Sequence, residues 1–145
     1  MFCKMSLDTI SEIDDLKTEK GFTASKEDIN DHILLKITFN KSFTDTEFSQ
    51  FLGILDKFLH DKNKFVLLID TRLCTLVQLR YSIILAKWMK KRKPDIPDIL
   101  IGSAVVMNSP VVITLIKQAF RIQKPTSPNL MTKDYDKAIK FLSSL

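Results

Sequence analysis

The run FVLLI, residues 65 to 69, is unbroken by any polar side chain and then stops abruptly on Asp70-Thr71-Arg72. Five residues are too few for an amphipathic helix, and the lack of alternation does not suit a strand with one wet face. Length and composition instead predict a strand covered on both sides. A second stretch of the same character, DILIGSAVVM at 98 to 107, ends on Asn108-Ser109-Pro110. There Ser109 is placed to cap a helix and Pro110 to occupy its first turn. Strands covered on both faces belong to parallel sheets flanked by helices, so these two runs commit the chain to a layered α/β fold.

The remaining elements follow from local signals. A weak strand near Phe22 and a stronger one from Ile33 to Phe39, separated by the polar KEDIND, predict a hairpin. Thr44 and Glu47 have capping-box spacing, with Phe43 and Phe48 at the staple positions. Phe48, Phe51, Leu52, Leu55, Phe58 and Leu59 then follow one helical face. Thr75 and Gln78 repeat the capping spacing and predict a helix from there to about Arg92. After KPTSPN, a short strand at Leu130-Met131 leads to a last helix with Tyr135, Ala138, Ile139 and Leu142. Strand and helix alternate through this half, which predicts parallel strands joined by right-handed crossovers.

A chain of 145 residues is the size of one domain, which hides roughly 70% of its unfolded surface and needs no staples. Cys3 and Cys74 lie far apart and read as reduced thiols. Acids appear within eight residues of Met1, Phe2 is incompatible with myristoylation, and no apolar run approaches the roughly 20 residues of a membrane span. The expectation is a soluble cytoplasmic protein. Residues 1 to 17 carry Leu7, Ile10, Ile13 and Leu16 at helical spacing, and read as an amphipathic or disordered segment ahead of a domain over 18 to 145.

The order hairpin, helix, strand ending in Asp, helix, strand, helix, short strand, helix resembles the STAS superfamily of sulphate transporters and anti-sigma-factor antagonists. More narrowly, it resembles the stand-alone SpoIIAA-like proteins. FVLLIDTR, the helix containing AKWM, the strand GSAVVMNSP and the tail FRIQKPTSPNLMTKDYDKAIKFL carry the resemblance. It implies a mixed sheet of about five strands with about four helices, and a regulatory or scaffolding domain with no catalysis or cofactor of its own. It also implies a phosphorylatable Ser or Thr after the strand-end Asp. Asp70 and Thr71 match the first two places of the family's Asp-Ser-Ser-Gly type motif, so Thr71 is the implied acceptor. Arg72 stands where the second hydroxyl would be, and no glycine follows. Some relatives are described as similar to Sec14-type lipid carriers.

Three groups of residues are candidates for function. In open α/β sheets ligands favour the carboxyl ends of strands, where Asp70, Thr71, Arg72, Asn108 and Ser109 would share a rim. Arg72 offers a planar fork for an anion, although each of these residues also suits plain turn and cap roles. On the helix to Arg92, Val77, Tyr81, Ile84, Leu85 and Trp88 fill one side and Leu79, Ile83 and Ala86 another, with Arg80, Lys87 and Lys91 between them. One apolar side suffices for packing on a sheet, so the second meets a helix of the same chain, a protein partner, a second copy or an apolar ligand.

The third group is the basic cluster of Lys87, Lys90, Lys91, Arg92 and Lys93. It suits the negative end of a helix dipole, or peripheral contact with an anionic membrane. Despite the formal charge of +5, no nucleic-acid-reading motif accompanies it, and nucleic acid is not favoured. His32 and His60 have no neighbours at metal-ligand spacing, and no phosphate-cradling loop or nucleophile elbow is present. The leading expectation is therefore a noncatalytic docking domain that uses the rim and the helix with Tyr81, Ile84, Leu85 and Trp88. Its rival is a carrier or sensor of an apolar or anionic small molecule. A hydrolase using Asp70, Cys74 or a histidine would need those groups to converge.

Overall fold

A computed structural model of the chain describes residues 21–145. The expectations for residues 1 to 17, Cys3 among them, fall outside the described residues. Strands β1 (Phe22–Ile29) and β2 (His32–Phe39) form the expected antiparallel hairpin, in register from Phe22↔Phe39 to Ile29↔His32. Its turn is tighter than KEDIND implied, because Asn30 takes the left-handed conformation at φ 51° and closes the loop in two residues. Lys26, Glu27 and Asp28 therefore continue β1, where charged side chains guard an edge strand.

Helix α1 (Asp45–Asp61) begins where the capping box placed it. Thr44 Oγ1 accepts from Glu47 N at 3.1 Å, and Glu47 Oε1 accepts from Thr44 N at 2.8 Å. The other Glu47 oxygen accepts from Gly21 N at 2.9 Å, which ties the helix start to the chain entering β1. At Gly21 an added Cβ would lie 2.5 Å from Phe43 Cβ and 2.9 Å from its Cα, so only glycine fits that approach. Phe43 and Phe48 stack at 5.5 Å as the staple.

The chain continues through β3 (Phe65–Asp70), α2 (Tyr81–Arg92), one-turn α3 (Ile96–Ile99), β4 (Leu100–Val106), α4 (Pro110–Ile122), β5 (Asn129–Thr132) and α5 (Tyr135–Ser143). One sheet results, in the order β1-β2-β3-β4-β5, with every pair after the hairpin parallel. Sequential parallel strands with right-handed crossovers must carry their connections on one face. The side chains agree. Phe65, Leu67 and Val105 face a large core with α1, α2 and α4, whereas Val66, Leu68, Ala104 and Val106 face Ala138 and Leu142 of α5. β3 and β4 are thus covered on both sides, as their unbroken apolar runs predicted.

One expected element is displaced. The helix predicted from Thr75 begins only at Tyr81, and residues 71 to 80 form a loop. The Thr75 and Leu76 amides both donate to the Lys41 carbonyl, at 3.1 and 3.0 Å, and Gln78 Oε1 accepts from Arg80 Nε at 2.5 Å, so the two groups that a capping box would have joined are each bonded elsewhere. Arg80 occupies the cap position without a side-chain cap bond.

Candidate functional site

The rim assembles as strand adjacency requires. Asp70 pairs with Val106, so the loops after β3 and β4 leave the sheet side by side. Val106 O accepts from both Thr71 N and Thr71 Oγ1 at 2.8 Å. Thr71 is only 6% exposed, and its hydroxyl closes the turn rather than facing solvent. Asn108 is exposed, while Ser109 Oγ caps α4 by accepting from Val111 N at 3.3 Å.

Arg72 turns back on its own strand. Its backbone N, Nε and Nη2 donate to the Asp70 carboxylate at 3.0, 3.0 and 2.8 Å, a bidentate pair with an added turn bond. The fork that looked available for an external anion is occupied from within. Burial works to raise the Asp70 carboxyl, but the Arg72 hydrogen bonds and charge outweigh it and, with Lys36, hold the group below the usual carboxylate range. Arg72 also lies over the Tyr135 ring at 4.8 Å, and Lys36 Nζ over the same ring at 5.1 Å. Sequence reading missed Lys36 and Tyr135, although Lys36 interrupts the apolar run of β2 and sits on the side of β2 that also carries Leu34.

A depressed carboxyl stabilises the fold above its unfolded value and loses that contribution as pH falls through the folded one. Asp70→Asn is therefore expected to lower stability by about 1–3 kcal/mol near neutrality. The gap to the parent should shrink progressively below about pH 5. Urea unfolding at pH 7 and pH 3 checks it: an equal gap at both values would show that the carboxylate charge carries none of the effect.

Helix α2 sorts its apolar residues differently from the expected interface. Tyr81 is 4% exposed, packs at 4.9 Å on Phe43 and 4.8 Å on Phe48, and donates its hydroxyl to Asp45. Leu85 and Trp88 are half-buried against the core, and Trp88 Nε1 donates to Asp56 Oδ1 at 2.8 Å. Of the four residues Tyr81, Ile84, Leu85 and Trp88, Ile84 alone is exposed. The apolar surface facing solvent lies earlier and to one side. Leu73 and Leu76 are each 60% exposed, Ile83 49% and Leu79 43%.

Lys87, Lys90, Lys91 and Lys93 are exposed at the end of α2, but Arg92 leaves that group by pairing with Asp56 at 2.6 Å. Asp45 and Asp56, which the sequence did not single out, thus hold the two ends of α2 against α1. The Asp45 carboxyl is held low by the Tyr81 hydroxyl and Arg80. Asp56 is held low by Arg92 and Trp88 against the opposing effect of burial.

An apolar cleft of about 90 Å³ lies under α2, between the sheet and α4. Phe51, Leu67, Leu85, Trp88, Val105 and Phe120 form its walls, with Ser103 on its floor. Exposed Lys124 and Thr126 and half-buried Gln123 also line it, beside buried Ser127, whose hydroxyl donates to Leu100 O at 2.7 Å at the start of β4 and so marks the margin opposite the rim. The groups a hydrolase would need do not meet. Asp70 ends β3 and Cys74 lies just past it, whereas His32 opens β2 and His60 stands in the last turn of α1 near the strand starts. Burial pushes the Cys74 thiol up, away from a reactive thiolate. Among the described residues no group of His, Cys, Asp and Glu side chains could hold a metal ion, and no helix is long and apolar enough to cross a membrane.

No family model and no curated protein sequence matches the chain. A solved structure does. It is an uncharacterized protein of the DUF3478 family from Shewanella loihica, described as having a SpoIIAA-like fold. The two superpose with a TM-score of 0.61 over 84% of this chain and 94% of that one, at 16% sequence identity. With the hairpin-led mixed sheet, helical crossovers on one face and a closing helix on the other, this chain has a SpoIIAA-like fold.

Proposed function

We propose that the chain is a noncatalytic regulatory or scaffolding domain that docks a protein partner through the apolar strip leading into α2, beside the strand-end rim. The observation that carries the reading is the exposure of Leu73, Leu76, Leu79 and Ile83 on one short segment. Large apolar side chains left exposed this close together along the chain mark interaction surfaces. Arg80, the cation within the strip, is neutralised by Asp45 at 2.6 Å, which favours a protein over an anionic membrane. The loop carrying the strip starts at Thr71 and is pinned to Lys41, so the surface is ordered before docking and loses little entropy on binding.

The test is the variant Leu76→Ser/Leu79→Ser/Ile83→Ser. All three side chains are exposed, so each change is expected to alter stability by no more than about 0.5 kcal/mol. Capture of a discrete partner should be lost with this variant and retained with Lys140→Glu on α5. Native mass measurement separates a second copy from a different protein. A chain that stays alone in both assays, with no difference between variants, removes the reading.

A second reading, binding of an apolar small molecule, is favoured by one observation: the cleft beneath α2.

A further inference from the structure

The cleft has a chemical polarity. Its depth is made of aliphatic and aromatic side chains, and among the described residues no acidic side chain lines it. At its edge stands Lys124, which is exposed and has no ion pair among the described residues. Protein interiors are otherwise packed to crystal density, and the apolar part of this cleft is not. Its walls therefore lack contacts that an inserted hydrocarbon would supply. The outer side is not closed by close helix packing alone. Polar bonds from Asp45 to Tyr81 and Arg80, and from Asp56 to Trp88 and Arg92, hold α2 to α1.

Resting on the small-molecule reading, we propose that the cleft takes the hydrocarbon tail of a free medium-chain carboxylate, with the carboxylate held at the mouth by Lys124. The tail is short because the void is small. A space of about 90 Å³ is below the roughly 150 Å³ engineered cavity that admits benzene, so methylenes beyond the first few remain at the mouth. Affinity should then rise about fourfold per methylene only until the cleft is full. Lys124, at a wet edge, contributes discrimination rather than most of the affinity.

Trp88 is the one tryptophan of the chain and lines the cleft, so its fluorescence reports occupancy directly. The full chain is titrated with hexanoate, octanoate and decanoate, each below its micellar concentration, with decanol, and with phosphatidylglycerol vesicles. The expected result is saturable one-to-one binding whose chain-length dependence levels off before decanoate. Lys124→Ala should weaken decanoate about two- to fivefold and leave decanol unchanged. Ser103→Leu, which fills the floor, should abolish both, with Ile116→Phe as a second filler should the first not fold. If Lys124→Ala leaves the decanoate affinity unchanged, the carboxylate assignment is overturned while the small-molecule reading stands. Absence of saturable binding by decanoate and decanol alike overturns both. A response to vesicles with none to the monomeric probes overturns the free-carboxylate ligand.

Discussion

Phe51→Ala is expected to lower the stability of the domain by about 3–5 kcal/mol, which takes a large share of the roughly 5–15 kcal/mol that holds a domain of this kind. Phe51 is 2% exposed and sits where the hairpin meets α1, with ring centres at 5.1 Å from Phe39, 5.5 Å from Phe48 and 6.3 Å from Phe22. Deleting it removes the common neighbour of three other rings, and a cluster anchored on two strands and a helix cannot collapse to fill the space. A midpoint shift of about 10 °C or more in thermal unfolding is the corresponding signal. Phe51→Leu keeps most of the volume and should lose about 1.5 kcal/mol or less. If Phe51→Ala lost no more than Phe51→Leu, the cluster would not be packed as described.

Thr71→Glu is expected to act as a destabilising change rather than a switch. The Thr71 side chain is buried and bonded to Val106 O, so a carboxylate there would sit without a partner against a carbonyl oxygen. A loss of about 3–5 kcal/mol follows, comparable to leaving an uncompensated buried charge. Thr71→Val, which keeps the shape and removes the donor, should lose only about 1–2 kcal/mol. Urea unfolding of the two variants distinguishes the cases. A Glu variant as stable as the parent would show that the turn opens readily, and would restore Thr71 as an acceptor of phosphate in the folded domain.

What could be read in advance was local or compositional. FVLLI and LIGSAVVM announced strands covered on both faces, because nothing in them alternates. Thr44-Asp-Thr-Glu47, with Phe43 and Phe48, announced a helix start, because all the groups that satisfy it lie within six residues. The same spacing at Thr75 and Gln78 misled, because Lys41 O takes the Thr75 amide and Arg80 takes the Gln78 side chain, the two groups that a capping box would have joined. Periodicity likewise found the apolar residues of α2 but not which of them face solvent. That outcome depends on Asp45 and Asp56, which lie 36 and 32 residues away in sequence and bond Tyr81 and Trp88. The Arg72 fork was legible as an anion site, whereas its bonding to Asp70 depends on the turn geometry after β3. The cleft, formed from side chains of several separate elements, left no sequence signature.

If the segment from Leu73 to Ile83 docks a protein partner, a photo-crosslinking residue placed within it will capture that partner. Substituted singly at Leu76, at Ile83 and, as the opposite-face control, at Lys140, it should give one discrete adduct of defined mass from the first two positions only. An adduct of twice 16.7 kDa would identify the partner as a second copy. No adduct from the strip, or equal labelling from Lys140, would show that this segment is not the docking surface.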